Sequence, residues 1–334
     1  MSRPAYSSTA TTAENPYEVT RRGLPPALDG VFPLLLAITC DAHAAPAISV
    51  TRALARTRGA IPTVLRALGS DHETEVLVSP FAGYVAESAL SAEYRDEARE
   101  VLQQQVSDVA GAVRWRFEIA DESPVRAIVN HARMLRAGIV IVGLRRHSVI
   151  RRVFAGNLLR SVVRLAGVPV LAIRPDLVDL PKRVVVGVDF GEASVRAASL
   201  ARHILADDGE LHLVHVVSDS IRTDGVYGRV ASDPSFTNPS RGLAAMVDDL
   251  RPGPRMTITS HVIEGERAAA LDGFAERVRA DLLAVGSDEH PLLDRLVHRS
   301  VSMGLAMAGH RSMLVVPAST GAHGPGAIDQ HSVA

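Results

Sequence analysis

Shifting the sequence by 143 positions lays residues 119–173 over residues 262–316 without a gap. Ala132 falls on Ala275, Ala137 on Ala280, Val142 on Val285, Gly143 on Gly286, His147 on His290, Arg152 on Arg295 and Leu171 on Leu314, and apolar positions track apolar positions. Solenoid repeats are several times shorter, so a period of this length is a duplicated domain. The 334 residues, 47% of them apolar, are enough for two cores of ordinary size.

Each copy alternates short apolar runs with amphipathic stretches. In the second copy, Val184 to Val188 is a β-branched run ending at Asp189, followed by a helix from about Ser194 to Ala206 and a strand from Leu211 to Val217. A polar stretch, Ser218 to Pro239, reads as a loop, and Gly242 to Leu250 as a helix. Thr257 to Ile263 alternates as a strand, and Ala268, Leu271, Ala275 and Val278 recur at helical spacing before the buried strand Leu282 to Val285. In the first copy Val125, Ile128, Val129, Ala132 and Leu135 share one helical face ahead of the strand Ile139 to Val142. The copies close with strands at Val168 to Ile173 and Met313 to Val316. Continuous apolar strands between amphipathic helices predict a parallel sheet covered on both faces, with ligands beyond the carboxyl ends of its strands.

Residues 1–29 and 319–334 are rich in small and polar residues and are expected to be disordered, and residues 176–181, within the stretch Arg174 to Lys182 that carries two prolines, read as a linker. Net charge is −1, from 36 basic and 37 acidic residues, which argues against a nucleic-acid or membrane partner. Cys40 is the only cysteine, so an intrachain disulfide is impossible and a reducing, cytoplasmic location is expected. Thr20-Arg21-Arg22-Gly23-Leu24 has the look of a twin-arginine export start, but Pro25, Pro26 and Asp29 interrupt the segment that should be apolar.

The chemistry-bearing pattern follows the fourth strand of each copy. The first reads Val142-Gly143-Leu144-Arg145-Arg146-His147-Ser148, and Gly156-Asn157 then opens a helix. A glycine directly after a strand lets a ligand approach the backbone, and a helix N-terminus offers free N–H groups to phosphate. With this spacing the chain resembles universal stress proteins, which carry Gly, two residues, Gly, nine residues, Gly and Ser or Thr at this point. The likeness extends over residues 30–175 and 182–318. It implies two tandem doubly wound, Rossmann-like parallel-sheet domains of the adenine nucleotide alpha hydrolase kind.

The resemblance also implies site residues. Gly143 matches the first family glycine, Arg146 replaces the second, and Gly156-Asn157 matches the Gly-Ser position; in the second copy Gly286-Ser287 is intact, Glu289 and Arg299 replace the later glycines, and Ser300 and Ser302 keep the serine character. On the nucleoside side, Asp189 and Val216 match the family's aspartate and second-strand backbone contact. Their first-copy equivalents are open: Asp41 is expected at the aspartate position, with Thr39 as the alternative. Arg145, Arg146, Arg151 and Arg152 either supply charge for missing amides or form a solvated loop in a chain with a single lysine, Lys182.

Thirteen histidines show no cluster in the sequence, and His212 and His215, three apart in a strand, point to opposite faces, so no metal is expected. Trp115 and Phe117 alternating with Arg114 and Arg116 is strand patterning. There is no Gly-x-Ser-x-Gly, lysine-bearing phosphate loop or Gly-x-Gly-x-x-Gly after the first strand, so no enzyme is predicted. The resemblance implies a non-catalytic stress-response regulator binding ATP or a related adenine nucleotide. The alternative is a nucleotide-free interaction module whose halves pair through their last strands, within one chain or in a homodimer.

Overall fold

The computed structural model describes residues 15–23, 32–39, 42–69, 92–144, 161–217, 238–251, 253–287 and 311–318. A leading helix α1 (Pro16–Gly23) precedes the first half: β1 (Leu34–Ala37), α2 (Ala45–Arg58), β2 (Thr63–Ala67), α3 (Ala92–Ala110), β3 (Arg116–Ala120), α4 (Pro124–Met134), β4 (Ile139–Gly143) and β5 (Val170–Ile173). The second half contains β6 (Arg183–Gly187), α5 (Glu192–Ile204), β7 (Glu210–Val217), α6 (Pro239–Leu250), β8 (Thr257–Glu264), α7 (Arg267–Arg277), β9 (Leu282–Ser287) and β10 (Ser312–Pro317).

The duplication reaches down to backbone detail. Helices α4 and α7 begin and end at equivalent positions. Each is followed by an arginine in the left-handed region, Arg136 at φ 47° and Arg279 at φ 54°. The next residue in each copy is an alanine whose N–H returns to the helix, Ala137 to Ala132 and Ala280 to Ala275, both at 2.8 Å. The N-caps differ: Glu266 accepts from the Ala268 and Ala269 amides, whereas Ser123 makes no such bond.

One ten-stranded sheet runs through the described residues in the order β3-β2-β1-β4-β5-β10-β9-β6-β7-β8. Neighbours within each half are parallel, and the halves meet where β5 and β10 pair antiparallel, with Leu171 opposite Leu314. Helices cover both faces, which is why the central strands are apolar without alternation. On one face Leu34, Leu36, Leu171, Ile173, Leu314 and Val316 pack against α2, α3, α5 and α6. On the other, Leu35, Val170, Ala172, Met313 and Val315 pack with α4 and α7. Each core therefore continues across the join.

The expectation of disorder over residues 1–29 needs correction. Asn15 caps α1 by accepting the Tyr17 amide at 3.1 Å, and Tyr17 is 97% buried against the second half. The Arg21-Arg22 pair that suggested an export start lies in this helix. No helix among the described residues is long and apolar enough to cross a membrane.

Candidate functional site

Strand order reverses between β1 and β4, and again between β6 and β9, so the carboxyl ends of these pairs are the switch points. The register across them decides which residues correspond. Ala37 lies opposite Val142 and Gly187 opposite Val285, and those two valines are counterparts in the repeat. Thr39 therefore occupies the place of Asp189. The same reasoning through Leu65 and Val214 pairs Ala67 with Val216. Asp41 lies outside the described residues, and the register assigns its expected place to Thr39.

In the first half the switch point holds a cavity of about 120 Å³. Ala37, Leu65, Ile128 and Val142 form aliphatic walls, Thr39 and Ala67 lie at the strand ends, and Gly143 and His43 are among the other lining residues. A Cβ added at Gly143 would be in ordinary van der Waals contact, nothing lying closer than the His43 carbonyl at 3.4 Å, and the residue is exposed, so its backbone can be approached from solvent. Aliphatic walls with a few polar groups suit a flat, weakly polar ring.

The two switch-point glycines differ in what lies against them. A Cβ at Gly286 would lie 2.6 Å from the Ser194 amide and 2.8 Å from Ala193, because the first turn of α5 rests on this glycine. The Asp189 carboxylate is turned back to accept the Gly191 N–H at 2.9 Å. Ser194 Oγ accepts from the Asp189 amide at 3.3 Å and donates to the Gly191 carbonyl at 3.1 Å. Between them Phe190 adopts φ 64°, a conformation costing a bulky residue on the order of 1–3 kcal/mol unless its surroundings impose it. Its ring is buried beside Gly242 and 5.3 Å from the His215 ring, and His215 Nδ1 sits 2.8 Å from the Val188 carbonyl. Val216 is buried, and Ser287 ends β9 beside Pro317. Arg145, Arg146, Arg151, Arg152, Gly156, Asn157, Glu289, Arg299, Ser300 and Ser302 lie outside the described residues, as do 218–237 of the expected loop.

The structure also brings together histidines that sequence spacing leaves apart. His212 and His261, on paired strands, both approach Thr259 Oγ1, at 2.8 and 3.0 Å, and their nitrogens are 3.4 Å apart. Phe274 of α7 packs on His261 at 4.7 Å. The expectation that histidines do not cluster is thus corrected by cross-strand pairing. His215, on the other face, joins a different set of contacts. The Thr259 hydroxyl has one proton, so where it donates to one ring nitrogen and accepts from the other, the ring that accepts is neutral. Among the described residues no group of three or more His, Cys, Asp or Glu is placed to hold a metal ion.

Burial lowers the pKa of both rings; the neighbouring His261 adds to this for His212, and Arg277 for His261, while Glu210 opposes it and Arg183 reinforces it at His212. A histidine whose folded pKa is depressed binds fewer protons folded than unfolded, so its contribution is complete above the unfolded value. That contribution fades as pH falls from about 6.5 through the folded values. Urea denaturation between pH 7.5 and pH 5 is expected to show stability falling with acidification, with a shallower slope in His261→Gln. An equal slope in the variant would contradict the assignment.

The model of the universal stress protein family matches residues 32–174 and, separately, residues 181–317. Among solved structures, a universal stress protein from Archaeoglobus fulgidus is 17% identical, with 87% of this chain and 98% of that chain covered at a TM-score of 0.61. A functionally unknown protein from Pseudomonas aeruginosa is 13% identical, with 86% and 93% covered at a TM-score of 0.54. At such identities these two share the fold. No curated protein matches the chain.

Proposed function

This chain belongs to the universal stress protein family, and from that membership we propose that it is a non-catalytic regulator holding one adenine nucleotide, ATP or a close relative, at the switch point of its first half. The observation that carries the reading is the cavity between the carboxyl ends of β1 and β4, bordered by the open backbone of Gly143. The aliphatic walls receive the base. Gly143 starts the segment toward which the phosphates extend, where Gly156-Asn157 and the arginines of the loop stand in the sequence. Thr39, in the place of Asp189, puts a neutral hydroxyl at the nucleoside end, so the first half accepts an anionic ligand without a facing carboxylate at that position. The second half serves as the structural partner.

Equilibrium binding of labelled ATP to the purified protein tests this. One saturable site per chain is expected, weakened at least about tenfold by Gly143→Glu, which brings bulk and negative charge to the cavity rim. Absence of saturable binding in the parent protein sinks the reading. The second reading, a nucleotide-free interaction module, is favoured by the antiparallel β5–β10 pairing, which uses both last strands within one chain. Native mass spectrometry separates the two, since a retained nucleotide contradicts the second.

A further inference from the structure

We propose that α1 is an intramolecular latch that bolts the turn after β6 and thereby holds the second-half switch point shut. Tyr17, Thr20 and Arg21 lie at i, i+3 and i+4, on one face of the helix, and that face is turned to the second half. Thr20 Oγ1 donates to the Phe190 carbonyl at 2.7 Å. Tyr17 Oη donates to Asp249 Oδ2 of α6 at 2.5 Å, and the Arg21 guanidinium lies 2.8 Å from the other oxygen of the same carboxylate. One helix thus ties the turn at Phe190 to α6, whose Gly242 faces the Phe190 ring so closely that an added Cβ would lie 2.7 Å from it.

What is bolted is a strained element. Phe190 is held in the left-handed region, and such a conformation persists only where neighbouring groups over-determine it. The ring is wedged by α6 and His215; the carbonyl is held by α1. With Phe190 so placed, Asp189 and Ser194 close on Gly191, and the first turn of α5 comes down on Gly286. The first half shows the alternative arrangement, its counterpart glycine open beside a cavity. Release of α1 frees the Phe190 carbonyl, allowing the turn to relax and the α5 N-terminus to lift from Gly286. The second half's occupancy is then conditional on α1, whereas that of the first half is not. The inference rests on the contacts of α1 with the second half and stands whether or not the first half binds nucleotide.

Hydrogen exchange on the full chain tests it without any ligand. The double variant Tyr17→Phe, Thr20→Val keeps the ring and the branched side chain but removes both hydroxyls. It is expected to speed exchange at the Asp189, Gly191 and Val195 amides about 10- to 100-fold, the range for losing hydrogen bonds that include one to a carboxylate. The amide of Ile38, the first-half counterpart of Val188, is expected to keep its rate. Asp249→Ala attacks the same contact from α6 and is expected to give the same pattern, which guards against a local folding defect in either variant. Unchanged rates at the three amides in both variants, or equal acceleration at Ile38, overturns the latch.

Discussion

Gly286→Ala is expected to destabilise the protein by about 1–3 kcal/mol, whereas Gly143→Ala is expected to be neutral or to stabilise it by up to about 1 kcal/mol. The two glycines hold the same place in the repeat, so local sequence gives no reason for the difference. It arises from what lies above each. At Gly286 the added methyl would sit 2.6 Å from a backbone nitrogen of α5 and 2.8 Å from Ala193, rigid atoms that move only if the helix start moves. At Gly143 the nearest atom is 3.4 Å away. Neither glycine has a positive φ, so alanine meets no backbone penalty and the entropy it removes from the unfolded chain is a net gain at the open site. Urea denaturation of the two variants side by side checks this; equal destabilisation would mean that the first-half backbone is as crowded as the second.

Leu314→Ala is expected to cost about 2–5 kcal/mol, with Leu171→Ala in the same range. The two residues face each other across the antiparallel join, 0% and 1% exposed. Truncating either leaves a void between rigid strands, because parallel neighbours flank both, β4 beside β5 and β9 beside β10. The distinguishing expectation is coupling. Since one core runs through both halves, a double-mutant cycle should give an interaction energy of about 0.5–3 kcal/mol, and unfolding should remain a single transition. Two separate transitions, with one half unaffected by Leu314→Ala, would show that the halves are energetically independent.

Much of this fold is legible along the chain. Val184 to Val188, Leu282 to Val285 and Met313 to Val316 are too short for helices, the first of them also β-branched at four of five positions, and the spacing of Ala268, Leu271 and Ala275 belongs to one helical face. The leading helix had a signal too. Asn15 before Pro16 is an N-cap followed by proline at the first helical position, set among small polar residues. Its partners Phe190 and Asp249 are 170 residues or more away, a distance no local pattern spans. The His212–Thr259–His261 cluster was hidden for the same reason, since it depends on β7 lying beside β8.

Taken alone, the sequence determined the duplication, the alternation of strands with helices, the covered parallel sheet and the glycines at its switch points. The duplication follows from likeness at a fixed offset, and the other properties depend on residue type and on spacing within a few turns of chain. Only the tertiary structure decided that Thr39 stands where Asp189 does, that β5 meets β10, that α1 reaches the second half, and that Gly143 has room for a side chain while Gly286 has none. Each of those is a contact between residues distant in sequence, selected by packing and hydrogen-bond register, and two copies with like patterns can pack their ends differently.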